Sequence, residues 1–173
     1  MVLGTNDFGR ESSSLSWGTQ YIYWGMKKLI AVFFLFFAQK LKSQTTVDST
    51  LNSFVKEWLG VPYKWGGKTK KGIDCSKFTQ RLYEDVYNLI IPGVSWKQWD
   101  FTERISLDGL KTGDLVFFNS KLSPSGWHVG TYLTDGFFVH ASNRKDDVKV
   151  SSLNDEPYKK NFKGGGRVKK LDQ

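Results

Sequence analysis

The chain has 173 residues, which suits one domain with short extensions, and its 39% hydrophobic content excludes a disordered main body. The net charge of +8 suits a polyanionic partner. No helix-turn-helix pattern, zinc-finger spacing or aromatic RNA-binding motif accompanies that charge, so we expect no nucleic acid to be bound. The single cysteine, Cys75, excludes an intramolecular disulfide.

Near the start, two lysines directly precede an apolar run at residues 29–38. This order is typical of a secretory signal peptide, whereas a bilayer span needs about 20 apolar residues. A buried core helix is the alternative interpretation. We expect residues 1–25 to be an upstream extension outside the fold, 26–43 to be the signal peptide and 47–173 to be the mature domain. No cysteine lies directly after the run to become a lipidated N-terminal residue, so we expect no stable membrane anchor after cleavage.

Two helices are predicted at the start of the mature domain. Apolar residues recur with helical spacing from Val47 to Leu59, and Gly60 ends the pattern. A second pattern begins at Cys75, with Asp74 placed to cap it. The segment 91–93, which contains proline and glycine, is predicted to stop this second helix.

The second half of the chain changes to the patterns of strands. The predicted strands are Asp114–Phe118, Trp127–Leu133, Phe137–Ser142, Asp147–Val150 and Gly166–Leu171, with a short helix at Asn154–Phe162. Helices followed by strands imply an α+β domain with an antiparallel sheet.

The chain has two histidines, His128 and His140, and both lie in a predicted hairpin. A three-residue loop at 134–136, with glycine in the left-handed position, would pair Gly130 with His140. His128 and His140 would then share a face of the sheet on the diagonal. A two-residue loop would instead place them on opposite faces.

Cys75, His128 and His140 can supply a nucleophile, a base and an orienting group. The N-terminus of a helix favours the thiolate form of Cys75. His128 would share the thiol proton, and His140 would fix the tautomer of His128. A buried structural cysteine and a zinc site are the alternatives, but no fourth zinc ligand stands out at the right spacing. We therefore expect no metal and no other cofactor.

Several ordered segments resemble the NlpC family of bacterial cell-wall cysteine endopeptidases. They are residues 62–67, 72–76, 110–118, 127–130 and 138–142, and the resemblance extends over residues 51–168. It implies a papain-like α+β fold with N-terminal helices, in which the helix of the nucleophile packs on an antiparallel sheet. It also implies hydrolysis of amide bonds in peptidoglycan stem peptides or cross-links. We expect a monomer, exported to the periplasm or cell envelope.

The resemblance implies substrate contacts for three more residues. Tyr63 would lie beside the nucleophile and help with the oxyanion or the substrate, with packing alone as the alternative. Asp74 and Ser76 would bind the amine end of the peptide, with helix capping as the alternative for Asp74. Lys77 stands where the family usually has glycine, and it would narrow the cleft, change specificity or point to solvent. A catalytically silent wall-binding module and an acyltransferase on the same scaffold are the alternative functions.

Overall fold

The computed structural model describes residues 16–142 and 147–169. The chain divides into two units, residues 1–46 and 47–173. The first helix, α1, has the bounds Ser16–Trp58. The apolar side chains of residues 29–37 are exposed, which argues against a buried core helix at this run. None of the described helices is long and apolar enough to cross a membrane.

The last turns of α1 contribute to the core of the second unit. Their buried side chains are Leu51, Phe54, Val55 and Trp58. These residues share one helical face, as the apolar spacing predicted. Gly60 follows in the left-handed conformation, with φ +80°, and the predicted end of the helix is confirmed.

Helix α2 (Cys75–Tyr87) begins at the predicted cap. The Asp74 carboxylate accepts a hydrogen bond from the backbone N–H three residues later, at 2.8 Å. The predicted stop at 91–93 is wrong, because Asn88 ends the helix earlier in the left-handed conformation, with φ 53°. Asparagine adopts that conformation more readily than most residues, so the helix can stop without glycine or proline.

The patterns of the sequence did not predict five short elements. They are β1 (Lys68–Thr69), β2 (Gly72–Ile73), α3 (Ser95–Phe101), β3 (Glu103–Ile105) and a 3₁₀ turn (Leu107–Gly109). Helix α3 is held through a buried polar side chain: Gln98 Nε2 donates to the carbonyls of Ser76 at 2.9 Å and Pro92 at 2.7 Å. Because a glutamine makes this contact, apolar periodicity carries no signal for it.

A six-stranded antiparallel sheet forms the second half of the domain, in the order β3-β8-β4-β5-β6-β7. Its other strands are β4 (Leu115–Asn119), β5 (Trp127–Tyr132), β6 (Phe137–Ala141), β7 (Val148–Ser152) and β8 (Phe162–Arg167), and the short helix α4 (Tyr158–Asn161) precedes β8. The α+β class and the antiparallel sheet are thus confirmed. Helix α2 packs on this sheet through a core that includes Phe78, Leu82, Phe117 and Val139.

The predicted final strand at 166–171 is wrong, because β8 starts at Phe162 and ends at Arg167. Three consecutive glycines form its centre, so the alternation of apolar side chains that marks a strand is missing there. A Cβ on Gly166 would overlap the Thr102 side chain, so glycine is needed for the close approach.

Candidate active site

Strands β5 and β6 bring the two histidines together. Thr131 pairs with Val139, and Gly136 in the connecting loop has φ +81°, so the predicted three-residue loop and its register are confirmed. His128 Nε2 lies 2.7 Å from His140 Nδ1, and both side chains are buried. The hairpin therefore orients one imidazole directly against the other.

Gly130 makes this close approach of the strands possible. A Cβ at this position would lie 2.6 Å from Phe138 Cδ2, 2.9 Å from the Val139 carbonyl oxygen and 3.1 Å from His140 Cβ. We expect Gly130→Ala to lower the free energy of unfolding by about 1–3 kcal/mol through overpacking. We also expect it to separate the histidines and to slow the peptide hydrolysis that the family resemblance implies at least about tenfold. Urea unfolding and the rate on wall peptides measure the two effects.

Gly109→Ala is the matched control for this substitution. Its new Cβ would meet only the side chains of Ile105 and Ser106, at 3.1 Å and 3.3 Å, away from the histidines. Hydrolysis by this control should stay at the parental rate. Parental stability and activity in Gly130→Ala would contradict the steric account.

The second nitrogen of His140 is bound by hydroxyl groups. His140 Nε2 lies 3.0 Å from Ser151 Oγ and 3.3 Å from Tyr158 Oη. Neither hydroxyl was predicted. They reach His140 through the pairing of β6 with β7 and the position of α4, and these tertiary contacts leave no local pattern in the sequence. If these hydroxyls accept a hydrogen bond from His140 Nε2–H, His140 Nδ1 has no proton and accepts a hydrogen bond from His128 Nε2–H.

The remaining nitrogen of the pair, His128 Nδ1, is buried and has no hydrogen-bond partner among the described residues. In the tautomer that donates from Nε2 to His140, this Nδ1 carries a lone pair and no proton. Such a nitrogen can accept a proton, so the geometry is that of an oriented general base.

Cys75 lies at the start of α2, and only 3% of it is exposed. Burial raises the pKa of its thiol to about 12, and the neighbouring Asp74 carboxylate adds to the increase. Backbone N–H groups act in the opposite direction, one of them from Val129, the residue after His128. The thiol therefore lies at the strand of His128, and burial outweighs the helix N-terminus that was expected to favour the thiolate.

Both imidazoles are neutral near pH 7. Burial lowers the pKa of His128 to about 4. Burial also places the pKa of His140 well below its ordinary value, and the adjacent His128 lowers it further. The resting site thus combines a protonated thiol with an uncharged base.

These shifts predict a loss of stability in acid. Between pH 6.5 and about 4, the unfolded chain protonates His128 while the folded protein keeps it neutral. The unfolded state binds more protons in this range, so the free energy of unfolding should decrease as the pH is lowered. His128 should contribute up to about 3 kcal/mol to this decrease. Urea unfolding at pH 7.5 and pH 4.5 measures the change. His128→Gln should show a smaller dependence on pH, and an unchanged dependence would contradict this assignment.

The residues that the resemblance linked to substrate lie around Cys75. Asp74 caps α2 as predicted, and it also accepts hydrogen bonds from the Gly66 N–H at 3.1 Å and from Ser76 Oγ at 2.8 Å. The pKa of Tyr63 is raised by burial and by Cys75, which keeps its hydroxyl protonated beside the thiol. Binding of a substrate amine by Asp74 and Ser76 stays a prediction.

The described residues offer no site for a metal ion, since no cluster of three or more His, Cys, Asp and Glu side chains has suitable geometry. The facing nitrogens of His128 and His140 bind each other instead.

Comparison with known proteins identifies the family. The profile of the NlpC/P60 family matches residues 60–167. The chain belongs to the NlpC/P60 family. The murein DD-endopeptidase MepS/murein LD-carboxypeptidase of Escherichia coli K12 is 38% identical over 130 residues, which cover 75% of this chain and 68% of that protein. The probable endopeptidase NlpC of the same organism is 38% identical over 129 residues, which cover 75% and 83%.

The fold of this NlpC/P60 chain agrees with the family. A crystal structure of an NlpC/P60 family protein from Bacillus cereus superposes with a TM-score of 0.63 at 30% identity. The match covers 70% of this chain and 40% of that longer chain. The predicted papain-like arrangement is therefore confirmed.

Lys77, which departs from the usual NlpC/P60 pattern, lies on the flank of α2. Its Nζ is 3.1 Å from Gln80 Oε1, and a Cβ on Gly93 would overlap the end of its side chain. The half-buried side chain is thus held between the helix and the segment at Gly93, instead of extending freely into solvent.

Proposed function

We propose that this peptidoglycan hydrolase is an exported cysteine endopeptidase whose catalytic residues are Cys75, His128 and His140. The observation that carries the proposal is the state of His128: its Nε2 is oriented by His140, and its buried Nδ1 is without a partner among the described residues. The Cys75 thiol contacts the backbone N–H of Val129, the residue after His128. A thiol close to an oriented base is the arrangement that activates a nucleophile.

The neutral resting pair implies proton transfer during the attack. The Cys75 thiol proton passes to His128 Nδ1 as Sγ bonds to the scissile carbonyl carbon, and the Cys75 backbone N–H stabilises the oxyanion. The imidazolium donates through Nε2 to His140 while it carries the charge. His128 then protonates the leaving amine, and the C–N bond breaks to leave a thioester. Water, deprotonated by His128, hydrolyses this thioester and restores the thiol.

Tyr63 fits a supporting role in this reaction. Its hydroxyl stays protonated beside Cys75, so it is available as a neutral hydrogen-bond donor to the oxyanion or the substrate. The carboxylate of Asp74 already accepts bonds from the protein, which favours its bracing of the loop before α2 over direct contact with the peptide.

Two amide bonds are candidates for cleavage: D-glutamate to the diamino acid within one stem, and the D-alanine cross-link between stems. The similarity to a relative named murein DD-endopeptidase favours the cross-link. Digestion of purified sacculi, with mass spectrometry of the products, separates the two. Cross-linked dimers converted to monomers support the cross-link, whereas fragments ending in D-glutamate support the stem bond. Absence of both products would contradict the proposed function.

The signal peptide at 26–43 is part of this proposal. Its apolar side chains are exposed at residues 29–37, and the boundary between the two compact units, after residue 46, agrees with the proposed start of the mature domain at 47. Mass spectrometry of protein purified from the cell envelope gives the mature N-terminus. An envelope protein that retains residues 26–43 would contradict cleavage of a signal peptide.

A further inference from the structure

A cleft of about 370 Å³ opens directly beside the two histidines. His128 and His140 line it, together with residues of the segment that follows β4 and residues of α4. Lys121 belongs to the first of these segments and Lys160 to the second. A molecule bound in this cleft would therefore lie beside the histidine pair, with both lysines among the residues around it.

The cleft has the charge of an anion site. Lys121 and Lys160 are among its lining residues, and none of the lining residues within 16–142 and 147–169 is Asp or Glu. Within the described part of the chain, neither lysine forms a hydrogen bond or an ion pair, although other lysines such as Lys70 do. Two exposed cations that no described acidic side chain neutralises, beside a concave surface, attract a carboxylate.

The direction of the reaction indicates which part of the substrate would occupy the cleft. This step rests on the proposed function, in which His128 protonates the leaving amine, so that the leaving half lies on the side of the histidines. In both candidate bonds the leaving half contains the diamino acid, and where this is diaminopimelic acid its second carboxyl group is outside the stem backbone and is a free carboxylate. We infer that the cleft binds a carboxylate of this leaving half, and that Lys121 and Lys160 select for it.

A direct binding measurement tests the cleft without turnover. In the Cys75→Ala background, diaminopimelic acid and its diamide are titrated and followed by NMR. We expect the acid to bind at least about tenfold more tightly than the diamide, since the carboxylate gains charge-assisted hydrogen bonds. The difference should shrink in high salt. The added change Lys121→Gln with Lys160→Gln should reduce the preference to less than about twofold.

Lys159→Gln is the matched control, because Lys159 is an exposed neighbour of Lys160 on the same helix but does not line the cleft. The control should keep the full preference for the acid. Equal affinities for acid and diamide, or an equal effect of Lys159→Gln, would overturn the inference and leave the lysines as ordinary solvated side chains.

Kinetics separate this inference from the proposed function. With Cys75 intact, the double lysine variant should have a KM for wall peptides about tenfold higher than the parent and a kcat within about twofold of it. The lysines would bind the substrate equally in the ground and transition states and take no part in breaking the bond. If the parent protein cuts no wall peptide, the proposed function fails. The preference for acid over diamide then still decides whether the cleft binds a carboxylate.

Discussion

We expect Cys75→Ala to hydrolyse soluble cross-linked wall peptides at least about 10⁴-fold more slowly than the parent protein. Alanine removes Sγ, the atom that forms the thioester, while the oxyanion donors and the binding surface remain. Cys75 is small and buried, so loss of its sulfur should lower the free energy of unfolding only modestly. Product release followed by chromatography and mass spectrometry measures the rate, and thermal unfolding checks the fold.

The matched control is Cys75→Ser, which keeps the size and a polar atom. Hydrolysis by Cys75→Ser should also be much slower than by the parent, since a hydroxyl is far less acidic than a thiol and the same base must activate it. Parental activity in Cys75→Ala would refute the nucleophile. If the parent and the variant both bind sacculi but neither cuts them, the wall-binding module is the correct function. A transferred acyl product in place of a hydrolysed one would indicate an acyltransferase.

The second large effect is expected for His128→Gln, with a loss of about 10³-fold or more in the rate of hydrolysis. The glutamine amide can still donate a hydrogen bond to His140 Nδ1, which preserves packing, but it cannot take and return a proton. The rate on the same peptides across pH 5 to 9 measures the loss.

His140→Gln provides the comparison for the second prediction. In the proposed mechanism His140 orients the base and does not touch the reacting atoms. The drop in hydrolysis rate in His140→Gln should therefore be clearly smaller than the drop in His128→Gln. A larger loss in His140→Gln would reverse the roles of the two histidines. A loss below about tenfold in His128→Gln would contradict its role as the base.

Much of this fold could be predicted because its signals are local. The apolar stripe of α1, the Asp74 cap and the pairing of β5 with β6 follow from periodicity and loop length. The proximity of His128 and His140 follows from the same hairpin register, together with a glycine at 130 that leaves room between the strands.

The rest depends on contacts between distant segments. Helix α3 is held by the buried Gln98, and β8 consists largely of glycines that fit a crowded position in the sheet, so neither has the expected pattern. The hydroxyls of Ser151 and Tyr158 reach His140 through the order of the strands and the position of α4. The protonated thiol of Cys75 results from burial, which a position at a helix N-terminus does not reveal.

The most direct test of the central claim uses a stem peptide in which the scissile amide is replaced by a ¹³C-labelled aldehyde. A thiol nucleophile adds to the aldehyde carbon and forms a thiohemiacetal, which has a distinct ¹³C resonance. We predict this adduct with the parent protein and its absence with Cys75→Ala. Inhibition of wall hydrolysis by the aldehyde without a thiohemiacetal at Cys75 would contradict the account.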